Sequence, residues 1–437
     1  MSGRRSLEAS RRAAPPVPGS ASYRGLAPVR LEGGSAHRGA GFGTGPGMGG
    51  GRRGRLRTVL REIFGPGSPL RHLDWLLVAI VLALMAFGTL LVWAATATSG
   101  ASYHDPYLIR QLINIAIGLI LMCAVSMMDY RQLRQYAPIV LVLSCLGLLA
   151  VLSPLGSVVN GAKAWITLPG GFQIEPSEYA KIAVIFVGAM ILSELKPGET
   201  RPRPRAIAIA VGLSAIPLVL VIAEPALGVV IVLMSLITGL IVLSGVRLRW
   251  LAGLAVAGAL GVYAVTQLHL LKAYQVSRLT SFLHPSQDPR GTGYSAYQSK
   301  IAIGSGGLTG HGLFHGPLVA GGFVPEQHTD FIFAVAGEEI GFVGEMVIIV
   351  LLGLLLLRAL QIAARADDQF GMLIASGIAI WFGIQSFINI GMTIGIMPVT
   401  GLPLPFVSYG GSAIFADMIA IGALHCVHRH RLVFGRN

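Results

Sequence analysis

The stretch that decides the fold runs from Gly322 to Gly344, GFVPEQHTDFIFAVAGEEIGFVG. A polar, proline-marked approach ends in His328-Thr329-Asp330. An apolar helix then begins on the aspartate and carries Glu338, Glu339 and Glu345 into a segment hydrophobic enough to lie in lipid. Ionisable groups in such places are costly to keep and are functional candidates by default. On a wheel of about 100° per residue, Ala334, Gly337, Gly341 and Gly344 fall within about 40° of Asp330. This predicts a small-residue face below the aspartate, serving either as a helix-packing surface or as a groove for a lipid tail. Glu338 lies about 80° from that face and can flank the cavity, whereas Glu339 points away. His328 can orient Asp330 or titrate beside it, or serve only as a loop residue.

The chain around this stretch is that of a polytopic membrane protein. It has 437 residues, 53% hydrophobic and 12% charged, with mean hydropathy +0.69. Soluble domains carry roughly 25% charged residues. The net charge of +13 is concentrated in residues 1–72, which hold 13 Arg and no Lys. The basicity therefore belongs to a tail and does not mark a nucleic-acid surface. Cys123, Cys145 and Cys426 are dispersed through apolar runs, which excludes a disulfide framework or a thiolate metal site.

Residues 1–50 are rich in Gly, Arg, Pro and Ala without periodicity, a composition that predicts disorder. No apolar run precedes Leu73, so a cleavable signal is not expected. Leu56, Val59, Leu60, Ile63 and Phe64 share a face that avoids Arg55, Arg57 and Arg61. This predicts a basic helix over 55–64, lying on an anionic membrane surface or simply solvated. The organisation expected is a cytoplasmic tail over 1–72, a membrane domain over 73–430 and a short tail over 431–437.

Apolar runs of spanning length, about 17–25 residues, occur near 74–96, 110–128, 137–153, 177–193, 206–222, 227–244, 249–267, 330–357, 371–394 and 409–427. The fold class read from them is all-α, with ten transmembrane helices. Most of the Lys and Arg outside the spans fall in segments that share a side with the N-terminus, which places both termini in the cytoplasm. The outward segments 154–176 and 268–329, the latter between helices 7 and 8, are too long for plain turns and are expected to be functional. No internal repeat is visible, which weakens an inverted-repeat transporter reading.

A second constellation runs from Asn160 through Lys163, Ala164 and Trp165 to Glu175-Pro176-Ser177-Glu178-Tyr179-Ala180-Lys181. Pro176 and Ser177 open the fourth span, with Ser177 a natural cap. Glu178 and Lys181 stand at i,i+3, within pairing reach. An acid-paired lysine one turn into a membrane helix is read as lining a polar cavity. The long outward loop adds Lys272, Arg278, Arg290 and Lys300 among Tyr274, Phe282, Tyr294 and Tyr297, which suits an anionic, sugar-bearing ligand. A short amphipathic helix on the membrane surface is expected over 294–303. Gln385, Asn389 and Thr393 form a polar stripe explained by interhelical hydrogen bonding. There is no P-loop, HExxH, nucleophile elbow or tight metal-ligand cluster in the sequence.

Four of these segments together resemble the SEDS family (shape, elongation, division and sporulation) of bacterial cell-wall polymerases. They are Pro176–Lys181, Asp288–Gly307, PEQHTDFIFAVAGEEIGFVG (Pro325–Gly344) and NIGMTIGIMPVTGLPLPFVSYGGSA (Asn389–Ala413). The last two look more like the rod-shape-determining RodA branch than the division FtsW branch. The resemblance implies a ten-helix fold and a peptidoglycan glycosyltransferase that polymerises lipid II on the outer face of the inner membrane. It also implies a class B penicillin-binding transpeptidase and other elongation-complex membrane proteins as partners. The family's essential aspartate falls on Asp330, and its paired acid and lysine on Glu178 and Lys181.

With that resemblance, Asp330 is expected to be the general base, and Lys181 and Arg278 to offset the leaving diphosphate, with a divalent cation (Mg or Mn) as a candidate cofactor. Lys163, Lys300, His328 and Glu338 complete the expected substrate-binding set. The chain departs from the family pattern at Ala164, where an arginine is usual and Lys163 can substitute. It departs again at Glu175, where a glutamine is usual, and at Glu224-Pro225-Ala226, where Gln-Pro-Asp is usual. A lipid II flippase would use the same cavity but needs alternating access, and a non-catalytic scaffold for elongation proteins is the third reading; the one-sided site favours the polymerase.

Overall fold

The computed structural model describes residues 73–97, 106–159, 162–167, 173–195, 199, 201–224, 226–267 and 292–434. The expected disordered tail, the 55–64 helix and Arg278 lie outside these residues. Helices α1 (Trp75–Thr96), α2 (Pro106–Met127) and α3 (Tyr130–Leu152) are followed by strands β1 (Ser157–Val159), β2 (Ala162–Thr167) and β3 (Gln173–Ile174). Then come α4 (Pro176–Leu192), α5 (Pro204–Ala223), α6 (Leu227–Leu243), α7 (Leu248–Gln267), α8 (Thr292–Gly306) and α9 (Pro317–Ala320). The chain closes with α10 (Ile332–Glu339), α11 (Gly341–Ala364), α12 (Gln369–Ile394) and α13 (Gly411–Phe434).

Seven of these helices (α1, α2, α3, α5, α11, α12 and α13) are long and apolar enough to cross a membrane. This is the architecture of a polytopic membrane protein, with the buried core running along α4, α6, α10, α12 and α13. The outward faces of α2, α3 and α5 expose Ile120, Leu143 and Val219, as a surface bathed in lipid requires.

The ends of the helices are tied together by side chains. At one end Asp74 caps α1 by accepting from the Leu77 amide at 3.2 Å and takes Arg358 of α11 at 2.6 Å. At the same end Asp368 accepts from the Gly371 amide at the start of α12 and from the Tyr130 hydroxyl of α3. The opposite end, which holds Asp330, is built differently, from turns and a small sheet. That sheet departs from the all-α expectation. β1, β2 and β3 pair antiparallel, with Ser157 opposite Trp165 and Ile166 opposite Ile174. It pairs backbone groups within the described parts of the long 154–176 connection.

The largest correction concerns the helix expected to start on Asp330. Asp330 stands in a turn, α10 starts at Ile332 with Phe331 as its cap, and it stops at Glu339. A second helix starts at Gly341, whose φ is +75°. A break at membrane depth leaves carbonyl and amide groups that lipid cannot satisfy. Here the glycine-rich 307–312 segment supplies the partners. The amides of His311 and Gly312 donate to the Glu338 and Glu339 carbonyls at 3.0 and 2.9 Å. In return the Gly307 and Leu308 carbonyls accept from the Phe342 and Val343 amides at 2.9 and 3.2 Å.

The small residues in this stretch are therefore packing devices. A Cβ at Gly337 would lie 2.5 Å from the Glu345 carboxylate, and one at Gly344 2.6 Å from Ile340. The single helical wheel drawn from Asp330 does not run through the break, which ends α10 at Glu339 and restarts the helix at Gly341. The 294–303 segment is helical within α8, but it packs on α10 and α12 with Ser299 and Ala302 buried, so it does not lie wholly on the membrane surface.

Gly310 (φ +75°) and Gly341 meet across the break, where a Cβ would approach backbone atoms to 2.2 and 2.4 Å. Alanine at either position adds about 1–2 kcal/mol of left-handed strain to that clash. Gly310→Ala and Gly341→Ala are expected to lower the melting temperature in detergent, read by fluorescence-detected size exclusion. Gly353→Ala, which meets open space in α11, should not. Equal behaviour of all three would contradict this account of the break.

Candidate active site

Asp330 is set by a turn whose backbone is held from four sides. Glu326, at φ +51°, offers its carbonyl to the amides of Thr329, Asp330 and Phe331 at 3.1 to 3.2 Å. The Gln327 side chain donates to the Ala95 carbonyl of α1 at 2.7 Å and to Val319 of α9 at 3.1 Å. The Tyr409 amide donates to the His328 carbonyl at 2.9 Å, and the His328 ring sits 5.0 Å from Tyr107 and 5.6 Å from Tyr409, centroid to centroid. Asn389 of α12 donates to the Asp330 carbonyl at 2.8 Å and to Leu402 at 2.7 Å. The result is a half-buried carboxylate on a backbone that cannot drift.

Deeper in the bundle, Lys181 and Glu178 pair at 2.6 Å with 0% and 1% exposure. The i,i+3 spacing puts both on one face of α4, as the sequence predicts. Lys181 also donates to Gln385 at 2.8 Å and lies 4.7 Å from the Trp381 ring centroid. Trp381 in turn donates to Gln385 at 2.7 Å, while Gln385 donates to the Pro403 carbonyl at 2.8 Å. Two members of the polar stripe on α12 thus have fixed tasks: Gln385 seats the lysine and Asn389 seats the aspartate turn.

Three further carboxylates lie at this end of the bundle. Glu175, and not Ser177 as expected, stands at the cap position of α4, without a side-chain bond to the helix backbone; its carboxylate accepts from the Ser177 hydroxyl at 2.8 Å, and its amide donates to Ser412 of α13 at 2.9 Å. Burial and the neighbouring Glu178 push its carboxyl up to about 7, against the opposing pull of Ser177 and Lys181; Asp330 adds to the rise. Glu224, at the end of α5, is fully buried with neither oxygen hydrogen-bonded, and burial followed by Glu175 lifts it to about 8. Asp417 of α13 is 1% exposed; one oxygen accepts from the Phe406 amide at 3.3 Å and the other has no partner.

The remaining residues expected in the site are distributed unevenly. The Lys163 ammonium donates to the Ser153 and Leu152 carbonyls at 2.7 and 3.3 Å, closing the C-terminal end of α3. Lys300 is exposed on α8 and lies against Gly395 at the end of α12. Glu338 is fully buried, and its two oxygens accept from the Leu318 and Val319 amides at 2.7 and 2.9 Å, so it holds α9 against α10. Among the described residues no three His, Cys, Asp or Glu side chains converge with metal-ligand geometry. The carboxylates at this end do not form a ready cage for the divalent cation expected from the sequence. Asp417 was open to discovery in the sequence as an acid inside the last apolar run.

Removing one partner of a buried ion pair leaves an uncompensated charge, which typically costs about 3–5 kcal/mol. Lys181→Met is therefore expected to destabilise the protein strongly, and Glu178→Leu added to it should recover most of that loss. A double variant as unstable as Lys181→Met would show that the Glu178 charge is not what the lysine balances.

Residues 74–432 match the sequence profile of the FtsW/RodA/SpoVE family, described as "Cell cycle protein". Peptidoglycan glycosyltransferase MrdB of Escherichia coli K12 is 39% identical over 368 residues, covering 84% of this chain and 96% of that one. Stage V sporulation protein E of Bacillus subtilis is 37% identical over 361 residues, covering 82% and 97%. Among solved structures, a chain described under "Structural coordination of polymerization and crosslinking by a peptidoglycan synthase complex" aligns with a TM-score of 0.68 at 31% identity, covering 82% of this chain and 98% of that one. The Thermus thermophilus rod shape determining protein RodA aligns at 0.60 and 28% identity, covering 82% and 97%. With the profile spanning its whole membrane domain, this chain belongs to the FtsW/RodA/SpoVE family.

Proposed function

We infer that this protein is a peptidoglycan glycosyltransferase that polymerises lipid II during cell-wall elongation. The observation that carries the reading is a rigidly seated, half-buried Asp330 at the same bundle end as a lysine buried with its acid partner. It stands in a chain covering 84% of its length against a relative named as such an enzyme. The acceptor's sugar hydroxyl must lose a proton as its oxygen attacks the anomeric carbon of the lipid-diphosphate donor. Asp330 takes that proton as general base, an effect worth about 10²–10⁴ in rate. The bond from the anomeric carbon to the diphosphate oxygen breaks, and the leaving group carries the negative charge away.

Lys181 is enclosed, so it opposes that charge through its field, which a low-dielectric interior strengthens. Arg278 and Lys300 are proposed to contact the diphosphate from the solvent side, with His328 orienting the Asp330 turn. Lys163 and Glu338 act on substrate only through the segments they hold. A divalent cation is proposed to arrive with the diphosphate, since Mg²⁺ typically binds through one or two carboxylates plus substrate phosphates.

The helices other than the seven long ones complete a ten-span arrangement in this reading: α4, α6 and α7 as spans, with α10 and α11 together forming one broken span. Both termini then lie in the cytoplasm and Asp330 on the outer face of the inner membrane. The similarity to a chain of a peptidoglycan synthase complex supports a class B penicillin-binding transpeptidase as partner.

The direct test is glycan-strand synthesis from lipid II by the purified protein with its co-expressed transpeptidase and Mg²⁺ or Mn²⁺. Asp330→Asn is expected to reduce strand synthesis at least about 10²-fold, the lower bound for losing a general base, with folding unchanged. Equal synthesis by both proteins would remove Asp330 from the role. In cells, depletion is expected to give rounded cells, and long filaments with blocked septa would instead assign the protein to division.

A further inference from the structure

Three rings from three separate elements meet beside Asp330. Tyr107 stands in the first turn of α2, His328 in the turn before α10, and Tyr409 in the segment leading into α13. Their centroids lie 5.0 Å (Tyr107 to His328), 5.4 Å (Tyr107 to Tyr409) and 5.6 Å (His328 to Tyr409) apart, edge to face or tilted. His328 is two residues before Asp330, so their Cα atoms are at most about 7 Å apart. Tyr107 is 38% exposed and the other two residues are half-buried, so the cluster can be reached from outside the fold.

The rings are seated firmly. The Tyr409 amide donates to the His328 carbonyl at 2.9 Å. The turn before Tyr409 is closed by the Leu404 amide on the Ser408 hydroxyl at 2.8 Å and by the Ser408 amide on the Leu404 carbonyl at 3.0 Å. Val407 in that turn packs on α1 so closely that a Cβ at Gly88 would lie 2.5 Å from its carbonyl oxygen. Just after it, a Cβ at Gly411 would meet the Asn114 side chain of α2 at 3.2 Å. Gln111 falls between Tyr107 and Asn114 on one face of α2, at i+4 and i+7 spacing. It is 0% exposed and neither of its amide atoms is hydrogen-bonded.

We propose that Tyr107, His328 and Tyr409 form a platform on which the acceptor's terminal sugar ring rests, with its reacting hydroxyl turned toward Asp330. This rests on the glycosyltransferase reading above and adds Tyr107 and Tyr409 to the residues that contact substrate. The hydroxyl that gives up its proton must come within about 2.6–3.2 Å of the carboxylate, which brings its ring alongside His328. The C–H faces of a pyranose are slightly positive and settle on the negative faces of aromatic rings. An alkyl chain in the same place would leave the buried Gln111 amide unmet, a cost that a sugar hydroxyl removes directly or through one water. Tyrosines of a membrane-interface belt sit at headgroup level; these two instead touch each other and the histidine of the Asp330 turn.

The test is saturation-transfer NMR on the transpeptidase complex, with the lipid-free disaccharide of N-acetylglucosamine and N-acetylmuramic acid as probe. Wild type is expected to transfer saturation to the ring C–H protons of the N-acetylglucosamine. Tyr107→Leu and Tyr409→Leu, each checked for folding by size exclusion, should lose most of that signal. Tyr107→Phe keeps the ring and should keep the signal, as should Asp330→Asn, which leaves all three rings in place. In turnover, Tyr107→Leu should raise the KM for lipid II several-fold with a smaller change in kcat, and Tyr107→Phe should restore it. Signal retained by both leucine variants, or a wild type with none, overturns the platform. Saturation of the chain protons of undecaprenyl diphosphate, lost in the same leucine variants while the sugar is untouched, overturns it in favour of a lipid site. These outcomes leave the polymerase reading standing as long as the wild-type complex makes strands and Asp330→Asn does not. A wild-type complex with no strand synthesis overturns that reading, whatever the sugar contact shows.

Discussion

A broken helix inside a membrane must have its backbone groups satisfied by other protein, and this constraint organises the centre of the molecule. The interruption between α10 and α11 shortens the inner helix to eight residues and leaves the Asp330 turn close above it. The 307–312 segment answers the break with four backbone hydrogen bonds. It can do so only because Gly306, Gly310 and Gly341 let main chains approach to distances at which a Cβ would overlap them. Glu338 then uses the same short helix to fix α9 through two amides. Glu338, an acid within an apolar run, is in this way part of the scaffold of the broken helix.

Against that scaffold, the Lys181 cluster imposes the second constraint. A buried ion pair repays its desolvation only where the geometry is good and the remaining donors and acceptors are met. Here Glu178 and Gln385 both accept from the ammonium, Trp381 stacks near it, and Gln385 is itself anchored on the Pro403 carbonyl. The anchoring matters for Asp330 because α12 carries both Gln385 and Asn389, one helical turn apart. Displacing α12 to accommodate a misplaced lysine would also move the residue that holds the aspartate backbone.

Much of this was legible in the sequence. The apolar runs locate the helices, and the Pro-Ser-Glu opening with its lysine three residues on gives the buried pair its face. Asp330 stands out as an acid at the mouth of an apolar segment. Other features were hidden for definite reasons. Hydropathy is blind to the break at Ile340-Gly341, since both halves are apolar and only the contact with a glycine-rich stretch some thirty residues earlier reveals it. A single wheel cannot be carried across that break, so the pattern alone does not place Gly341 and Gly344 relative to Asp330. The small sheet was foreshadowed by Asn160-Gly161, a strong hairpin signal, but short strands within a membrane chain carry little periodicity. The employment of Lys163 at the end of α3 depends on tertiary placement alone.

The two ends of the bundle treat their polar groups in opposite ways, and the contrast bears on which function fits. Away from Asp330, charged side chains are mostly consumed: Asp74 with Arg358, Asp368 with Tyr130, and Arg429 with the Met128 carbonyl at 2.6 Å. His425 Nε2 is an unpartnered exception there. At the Asp330 end, unpartnered buried oxygens accumulate on Glu178, Glu224, Asn389 and Asp417. A carrier that alternates its access would need polar groups ready on both sides, with latches that open in turn. Mostly paired charges at one end and unspent buried acceptors at the other set the two ends of the bundle apart. That asymmetry suits a protein that works at one end of the bundle better than a carrier that must open at both.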